Sequence, residues 1–207
     1  MKKYLLIILL VCFNLNYAQL FDDMGLKFGL VYSNADHSIV SLDMDYDTKY
    51  KPGFAISFYG DIELTRSIDV QTEFGYFQKG FSEDIISRDS KGNPLPTITN
   101  DNTINYLVLQ VTPKYTFNTL VEPYVFAGPR VDFLLSSDFE SVFTSIEDNI
   151  KKTQVGIVGG AGLSLEELID YSLFIEGSVH YDFSDYIDTK NLSGKNTSFV
   201  FKIGMEI

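Results

Sequence analysis

The chain contains eight segments in which apolar and polar residues alternate with a period of two. This period is typical of a β-strand that has one apolar face. Most segments are long enough to cross a bilayer as tilted strands. The predicted strands are Gly25 to Ser33, Gly53 to Glu63, Ile68 to Lys79, Asn105 to Phe117, Tyr124 to Leu135, Thr153 to Leu165, Tyr171 to Phe183 and Thr197 to Ile207. The pattern predicts an all-β protein with eight antiparallel strands.

The connections between these strands alternate strictly between long and short. The short ones are Leu64 to Ser67, Asn118 to Pro123 and Glu166 to Asp170. The long ones are Asn34 to Pro52, Gly80 to Ile104, Ser136 to Lys152 and Ser184 to Asn196. Up-and-down barrels of the bacterial outer membrane have short periplasmic turns and long outer loops. The alternation therefore predicts an eight-stranded transmembrane barrel with its amino terminus in the periplasm.

The first residues resemble an export signal. Lys2 and Lys3 are followed by an apolar run and by a small residue, Ala18, after which cleavage is expected. We assign residues 1–18 to a signal peptide and 19–207 to the barrel domain. Cys12, the only cysteine, would be removed with the signal, so a mature chain without thiol chemistry or disulfides is expected.

The two faces of the strands differ sharply in charge. One face is apolar and carries no charged residue, which suits contact with lipid, because a lysine or arginine there costs roughly 2–4 kcal/mol at the bilayer midplane. Nearly all strand charges lie on the opposite face, among small residues. We predict a packed lumen with a charge network formed by Lys27, Glu73, Lys114, Arg130, Asp132, Glu176, His180 and Lys202. Outer-membrane lipid and the barrel assembly machinery are the expected partners.

Aromatic residues on the apolar face gather near the predicted strand ends. Those near the long loops are Tyr32, Tyr76, Tyr181, Phe183 and Phe199, and those near the short turns are Tyr115, Phe117 and Tyr171. Such clustering resembles the interfacial girdles of membrane barrels.

A soluble lipocalin-like barrel is the alternative fold, with the same alternation and the two faces exchanged. It would place Phe54, Phe74 and Phe201 around the centre and Glu73 and Lys202 in water. The absence of tryptophan, the glycine-rich polar face and the asymmetry of the loops count against it.

Two prolines conflict with regular strand pairing. Pro113 and Pro129 lie within the fourth and fifth predicted strands, where each removes a hydrogen-bond donor from a sheet without free edges. A bulge or local break is expected at each position.

Several segments resemble the PorT-like outer-membrane β-barrel family of Bacteroidetes-type bacteria, which belongs with small barrels of the OmpX and OmpA kind. They are GLKFGLVYSN (25–34), KPGFAISF (51–58), QTEFGYFQKG (71–80), NYLVLQVTPKYTF (105–117), EPYVFAGPRVDFLL (122–135) and VGIVGGAGL (155–163). The resemblance implies an outer-membrane location in a Gram-negative bacterium, and the family's namesake takes part in protein secretion and gliding. These segments are structural and say little about activity.

One strand carries the residue types of an acyl-transfer site. Glu176, Ser178 and His180 share a face at alternate positions, which brings an acid, a hydroxyl and an imidazole together. The predicted position inside the barrel keeps these groups away from lipid. We therefore favour a lumen network, with His180 hydrogen-bonded to a carboxylate and Glu176 paired with lysine or arginine, and assign no catalytic residue.

The first long loop contains a possible cation site at Asp43, Asp45 and Asp47. Oxygen ligands at alternate positions suit a hard cation, but the glycine and the bidentate acid of an EF-hand are missing. A solvated loop, or an extension of the adjoining strands, explains the run equally well. No resident metal or cofactor is predicted.

The net charge of −12 becomes about −14 when the two lysines of the signal are removed. Such an acidic chain repels phosphate, which excludes nucleic acid as a partner. We expect a non-enzymatic small outer-membrane barrel with long acidic outer loops that braces the envelope or binds a protein partner. An accessory subunit of a secretion complex, a lipid-modifying enzyme and a soluble ligand carrier are the alternatives.

Overall fold

The computed structural model describes residues 21–39, 44–46, 48–85, 89–119, 121–140, 149–165, 172–187 and 192–207. The predicted signal peptide at 1–18 lies outside these residues. No helix long and apolar enough to span a membrane is found in the described part of the chain.

The described residues form nine antiparallel strands. They are β1 (Asp23–Ile39), β2 (Met44–Tyr46), β3 (Lys49–Thr65), β4 (Ile68–Ile85), β5 (Ile98–Thr116), β6 (Pro123–Asp138), β7 (Thr153–Ser164), β8 (Leu173–Asp182) and β9 (Leu192–Glu206). Each strand from β3 to β8 pairs with the strand that follows it in the chain. β1 pairs with β3 on one side and with β9 on the other, and this last pairing closes the ring. The short β2 pairs only with the end of β1. Eight strands in a closed barrel confirm the predicted fold class.

Several strands continue well beyond their predicted ends on the side of the long loops. β4 was expected to end at Lys79 and reaches Ile85, where it pairs with Ile98 at the start of β5. The first long loop, expected from residue 34, begins only after Ile39. Pairing continues because backbone hydrogen bonds between strands do not require lipid on the outside. We refer to this side of the barrel as the loop end and to the opposite side as the turn end.

The exposure of side chains decides between the two barrel models. Phe54, Phe74 and Phe201 are 48%, 49% and 64% exposed on the outer surface. Glu73 and Lys202 are 1% and 2% exposed inside the barrel. The lipocalin-like alternative is therefore wrong, since a surface of this kind suits hydrocarbon and not water.

Aromatic rings group on the outer surface near both ends of the barrel. At the loop end, Tyr50 stacks on Tyr32 with ring centroids 5.0 Å apart and lies 5.8 Å from Phe199. At the turn end, Tyr115 and Phe117 meet edge to face at 5.0 Å. These positions match the girdles that mark the two interfaces of a membrane barrel.

Pro113 and Pro129 share one local break between β5 and β6. Pairing between these strands stops after Gln110 with Arg130 and resumes at Lys114 with Phe126 in an unchanged register. The two prolines lie in this gap, on opposite strands. The structure thus shows a single interruption of the β5–β6 pairing, without a bulge, in place of the two separate irregularities that were expected. The backbone N–H donors that the prolines lack fall where β5 and β6 are not paired.

Candidate functional site

The centre of the lumen holds two lysines and two glutamates from four strands. The Lys27 ammonium lies 2.8 Å from Oε1 of Glu176 and 3.2 Å from Oε2 of Glu73. Lys202 lies 2.8 Å from Glu73 and 3.5 Å from Glu176. We call these four residues the central cluster. Each lysine contacts both carboxylates, so the buried charges balance, as burial of ions requires.

Neutral polar side chains complete the coordination of the central cluster. Ser57 donates a hydrogen bond of 2.7 Å to Glu73, and Gln110 donates one of 2.9 Å to its other oxygen. The Tyr124 hydroxyl donates to Glu176 over 3.0 Å. Because the members of the cluster are nearly fully buried, the lumen is filled at this level.

A second group of charges lies nearer the loop end. Lys79 is 2.6 Å from Oδ2 of Asp132, and Arg130 is 2.9 Å from Oδ1 of the same carboxylate. Arg130 also pairs with Asp182. We call these four residues the upper cluster. Arg130 and Asp132 belong to the predicted network. Lys79 and Asp182 were not included in it, although their positions in the alternation also place them on the inner face.

Ser178 and His180, two residues of the possible acyl-transfer site, are not hydrogen-bonded to each other. His180 is fully buried, and neither of its ring nitrogens has a hydrogen-bond partner among the described residues. The same holds for the Ser178 hydroxyl, while Glu176 is taken up by the central cluster. The expected hydrogen bond from His180 to a carboxylate is absent here. A nucleophile, base and orienting acid in hydrogen-bonded sequence are therefore not assembled.

Lys114 lies at the turn end, apart from the other predicted network residues. Its ammonium is 2.5 Å from Asp61 and 3.3 Å from Asp69. The predicted set therefore divides into the central cluster, two members of the upper cluster, Lys114 with its two ion pairs, and His180, which forms no hydrogen bond with the described residues.

The interior of the loop end contains a group of buried apolar side chains that were not predicted from the sequence. We call this region the loop-end core; its members are Phe81, Phe139, Ile150, Tyr186 and Ile187, together with His37. The Phe81 ring lies 4.7 Å from that of His37 and 5.9 Å from that of Phe139. The inward parity of Phe81 and His37 was a usable signal, whereas the other members lie outside the strands. The interior is thus not uniformly polar.

The possible cation site in the first long loop is only partly described. Asp43 and Asp47 lie outside the described residues, and Asp45 lies in β2. Among the described residues, no group of acidic, histidine or cysteine side chains is arranged to hold a metal ion.

Comparison with known proteins assigns a family to this filled, apolar-faced barrel. Residues 17–188 match the family model described as outer membrane protein beta-barrel domain. The chain belongs to this family. The protein is thus a small β-barrel of the outer membrane of a Gram-negative bacterium, which confirms the predicted location. By the rule for such barrels, its turn end faces the periplasm and its loop end the exterior.

This outer-membrane β-barrel protein is similar to several solved structures. Ail from Yersinia pestis is 18% identical, with 89% of this chain and 98% of that chain covered at a TM-score of 0.45. OprG from Pseudomonas aeruginosa is 11% identical, with 89% and 95% covered at 0.49. Outer membrane protein W from E. coli is 15% identical, with 87% and 97% covered at 0.37. A comparison with curated proteins found no match.

Proposed function

We propose that the protein is a non-enzymatic surface barrel whose outer end presents loops to a protein partner. The observation that carries this proposal is the loop-end core. It packs beneath the outer loops and holds the strand extensions together above the membrane. Binding residues are commonly found on loops that a rigid scaffold positions.

The loop-end core ties residues from separate loops to one another. Ile150, in the connection between β6 and β7, bridges to Ile187, in the connection between β8 and β9. The backbone amide of Lys151 also donates to the carbonyl of Tyr186 over 2.8 Å. The described residues of these two loops are therefore held together before a partner binds, which lowers the entropic cost of association.

Exposed carboxylates surround the loop end and favour a partner with a basic surface. They are Asp36, Asp101, Asp138 and Glu140. The Asp101 amide donates to Glu140 over 3.3 Å, which attaches the third outer loop to β5. At the tip of the β4–β5 hairpin, hydrogen bonds from the side chain and backbone of Asn93 hold the pKa of Asp89 below its usual range. The Asp89 carboxylate therefore stays anionic at neutral pH.

The filled lumen supports a binding role in preference to transport or lipid chemistry. The central and upper clusters occupy the middle of the barrel, and Ser178 is only 6% exposed. A lipid substrate would have to cross the barrel wall to reach it.

Site-specific photo-crosslinking in living cells tests the proposal. A crosslinking residue at position 101 or 138, on the outer rim, should capture a discrete protein, and Asp101→Asn with Asp138→Asn should weaken that capture. The matched control places the crosslinker at Leu109 on the lipid-facing surface, where capture of the same protein is not expected. Ion conductance in vesicles, or a lipid A profile that changes on His180→Ala, would contradict the proposal.

An accessory role in a secretion complex is the second candidate. It is favoured by the PorT-like segments between Gly25 and Leu163 and predicts that a stable partner co-purifies in mild detergent. Loss of that partner on Asp101→Asn with Asp138→Asn would indicate that the two proposals describe the same interaction.

A further inference from the structure

The turn end of the barrel contains an acidic cavity that opens toward the periplasm. Its volume is about 230 Å³, and we call it the turn-end pocket. Five carboxylates line it, from Asp23, Asp61, Asp69, Glu122 and Glu206. Two basic side chains, Arg66 and Lys114, lie among them, which leaves a formal excess of three negative charges.

Strand register places like charges opposite each other around this pocket. Asp23 on β1 pairs directly with Asp61 on β3. One step further along the barrel wall, Glu63 on β3 pairs with Asp69 on β4. Directly opposed like charges destabilise a sheet. The barrel therefore carries an unfavourable electrostatic arrangement here, which Lys114 offsets only in part through its contacts with Asp61 and Asp69.

Asp61 supplies a second and independent indication of a ligand. This side chain lines the pocket but is only 5% exposed. Its Oδ2 accepts from Lys114 at 2.5 Å, whereas its Oδ1 has no hydrogen-bond partner among the described residues. An unsatisfied buried carboxylate oxygen is costly, and a cationic donor entering the pocket would satisfy it.

The shape of the pocket indicates which cation it accepts. Its carboxylates are not grouped closely enough to hold a metal ion, as judged over the described residues. Its inner wall is aromatic, with the Tyr59 and Phe174 rings edge to face at 5.3 Å and Tyr124 at 6.4 Å from Phe174. Lys27 already lies 4.9 Å from the centre of the Tyr59 ring. Acidic groups beside aromatic rings suit an organic cation, which gains both charge-assisted hydrogen bonds and ring contacts.

Two glycines keep the aromatic wall in place. A side chain at Gly162 would collide with the Tyr124 ring, and one at Gly204 would collide with the Phe174 ring. The rings therefore pack directly on the backbone of β7 and β9. This arrangement gives the pocket a preformed apolar side, as small-molecule sites usually have.

We propose that the turn-end pocket binds a guanidinium or alkylammonium group from the periplasm, with Asp61 as its principal acceptor. The group could belong to a free polyamine or to an arginine or lysine side chain of a periplasmic polypeptide. The inference goes beyond the proposed function, which concerns the opposite end of the barrel.

Titration calorimetry on the protein in lipid nanodiscs tests this inference. The probes are N-acetyl-arginine amide, spermidine, the neutral N-acetyl-glutamine amide, and magnesium chloride at matched ionic strength. We expect saturable binding of the two organic cations and none of the neutral amide. Tighter binding of spermidine would indicate a free polyamine, and tighter binding of the arginine derivative would indicate a side chain.

Asp61→Asn should weaken binding of the organic cations by about tenfold or more, because a charge-assisted bond is lost. Asp138→Asn removes the same charge at the loop end and should leave binding unchanged. Heat-dependent gel mobility verifies that each variant is folded. If Asp61→Asn does not fold, Asp23→Asn at the exposed rim serves instead. Equal binding in the Asp61 and Asp138 variants, or magnesium binding that excludes the arginine derivative, would overturn the inference.

Discussion

The central cluster and the loop-end core lie in the same barrel interior but differ in the chemistry of their buried side chains. The central cluster buries ions where the outer surface is apolar. The loop-end core buries aromatic and aliphatic side chains where the outer surface is polar. The comparison teaches that the change of solvent from hydrocarbon to water is recorded on the outer face, whereas the interior is mixed: Val31, Phe77 and Val200 are buried at the level of the lipid-facing band, and Glu83 and Asn102 are buried among the strand extensions.

A single strand shows the change on the outer face. On β1, the outward residues Leu30 and Tyr32 are exposed apolar side chains, and Asp36 follows them further along the same face. The inward residues include Lys27, in the central cluster, and Val31 and Ala35, which are apolar. The alternation of period two is unbroken, and the outer face changes from apolar to polar while the inner face is mixed throughout.

Removing one lysine of the central cluster should have the largest effect on stability. Lys202→Met leaves Glu73 and Glu176 with Lys27 alone, and an uncompensated buried charge costs roughly 3–5 kcal/mol. Urea unfolding of the protein in lipid vesicles measures the loss of unfolding free energy. The paired variant Lys202→Met with Glu73→Gln restores the balance and should recover much of it. Equal losses in the single and paired variants would mean that charge balance does not govern this region.

Truncation within the loop-end core should act locally. Phe81 is fully buried against His37, Phe139 and Tyr186, so Phe81→Ala should cost about 3 kcal/mol of the local opening free energy. Hydrogen exchange of amides at the loop end measures this opening. Phe74→Ala, on the lipid-facing side of the same strand, is the matched control and should leave loop-end exchange unchanged. If both variants open the loop end equally, the core does not hold the strand extensions.

The sequence was sufficient for the barrel and for the direction of each face. Alternation placed Phe74 and Glu73 on opposite faces, and the glycine-rich polar face together with the asymmetry of the loops assigned Phe74 outward. Strand ends were less predictable. The predicted end of β4 at Lys79 marks where lipid-facing apolar residues stop, but pairing to Ile85 depends on a loop-end core that no local pattern encodes.

The pairing of charged side chains within the lumen also could not be predicted from the sequence. Lys27 meets Glu176 across 149 positions, because ring closure brings β1 beside β9 and thus near β8. Parity shows which side chains point inward, whereas the pairing of those side chains depends on the register of every strand around the ring. Tyr186 and Ile150 are buried in the interior but lie in connections between strands, where no period-two alternation could indicate this.

Lowering the pH should weaken the loop-end core through His37. Burial lowers the pKa of His37 to about 4, from 6.5 in an exposed histidine. The opened state then binds a proton that the closed state does not. The closed state should therefore be fully stable above pH 6.5, lose stability down to about pH 4 and change little below that. At about 1.4 kcal/mol per pKa unit, the loss is at most roughly 3 kcal/mol.

Hydrogen exchange of loop-end amides across this pH range, corrected for intrinsic exchange rates, measures the effect. The His37→Gln variant provides the control and should show a much flatter dependence. An unchanged slope in that variant would assign the pH dependence to groups other than His37.

Two lysine substitutions on the outward face of β9 locate the level at which the outer surface changes from apolar to polar. Phe201 is 64% exposed within the apolar band, and Thr197 lies four positions nearer the loop end, beyond the girdle residue Phe199. Phe201→Lys should cost about 2 kcal/mol, because lysine facing hydrocarbon is destabilising, and Thr197→Lys should cost close to nothing. Urea unfolding in vesicles measures both. Equal costs would show that lipid reaches Thr197, and the outer face would then be in contact with lipid beyond the girdle residue Phe199.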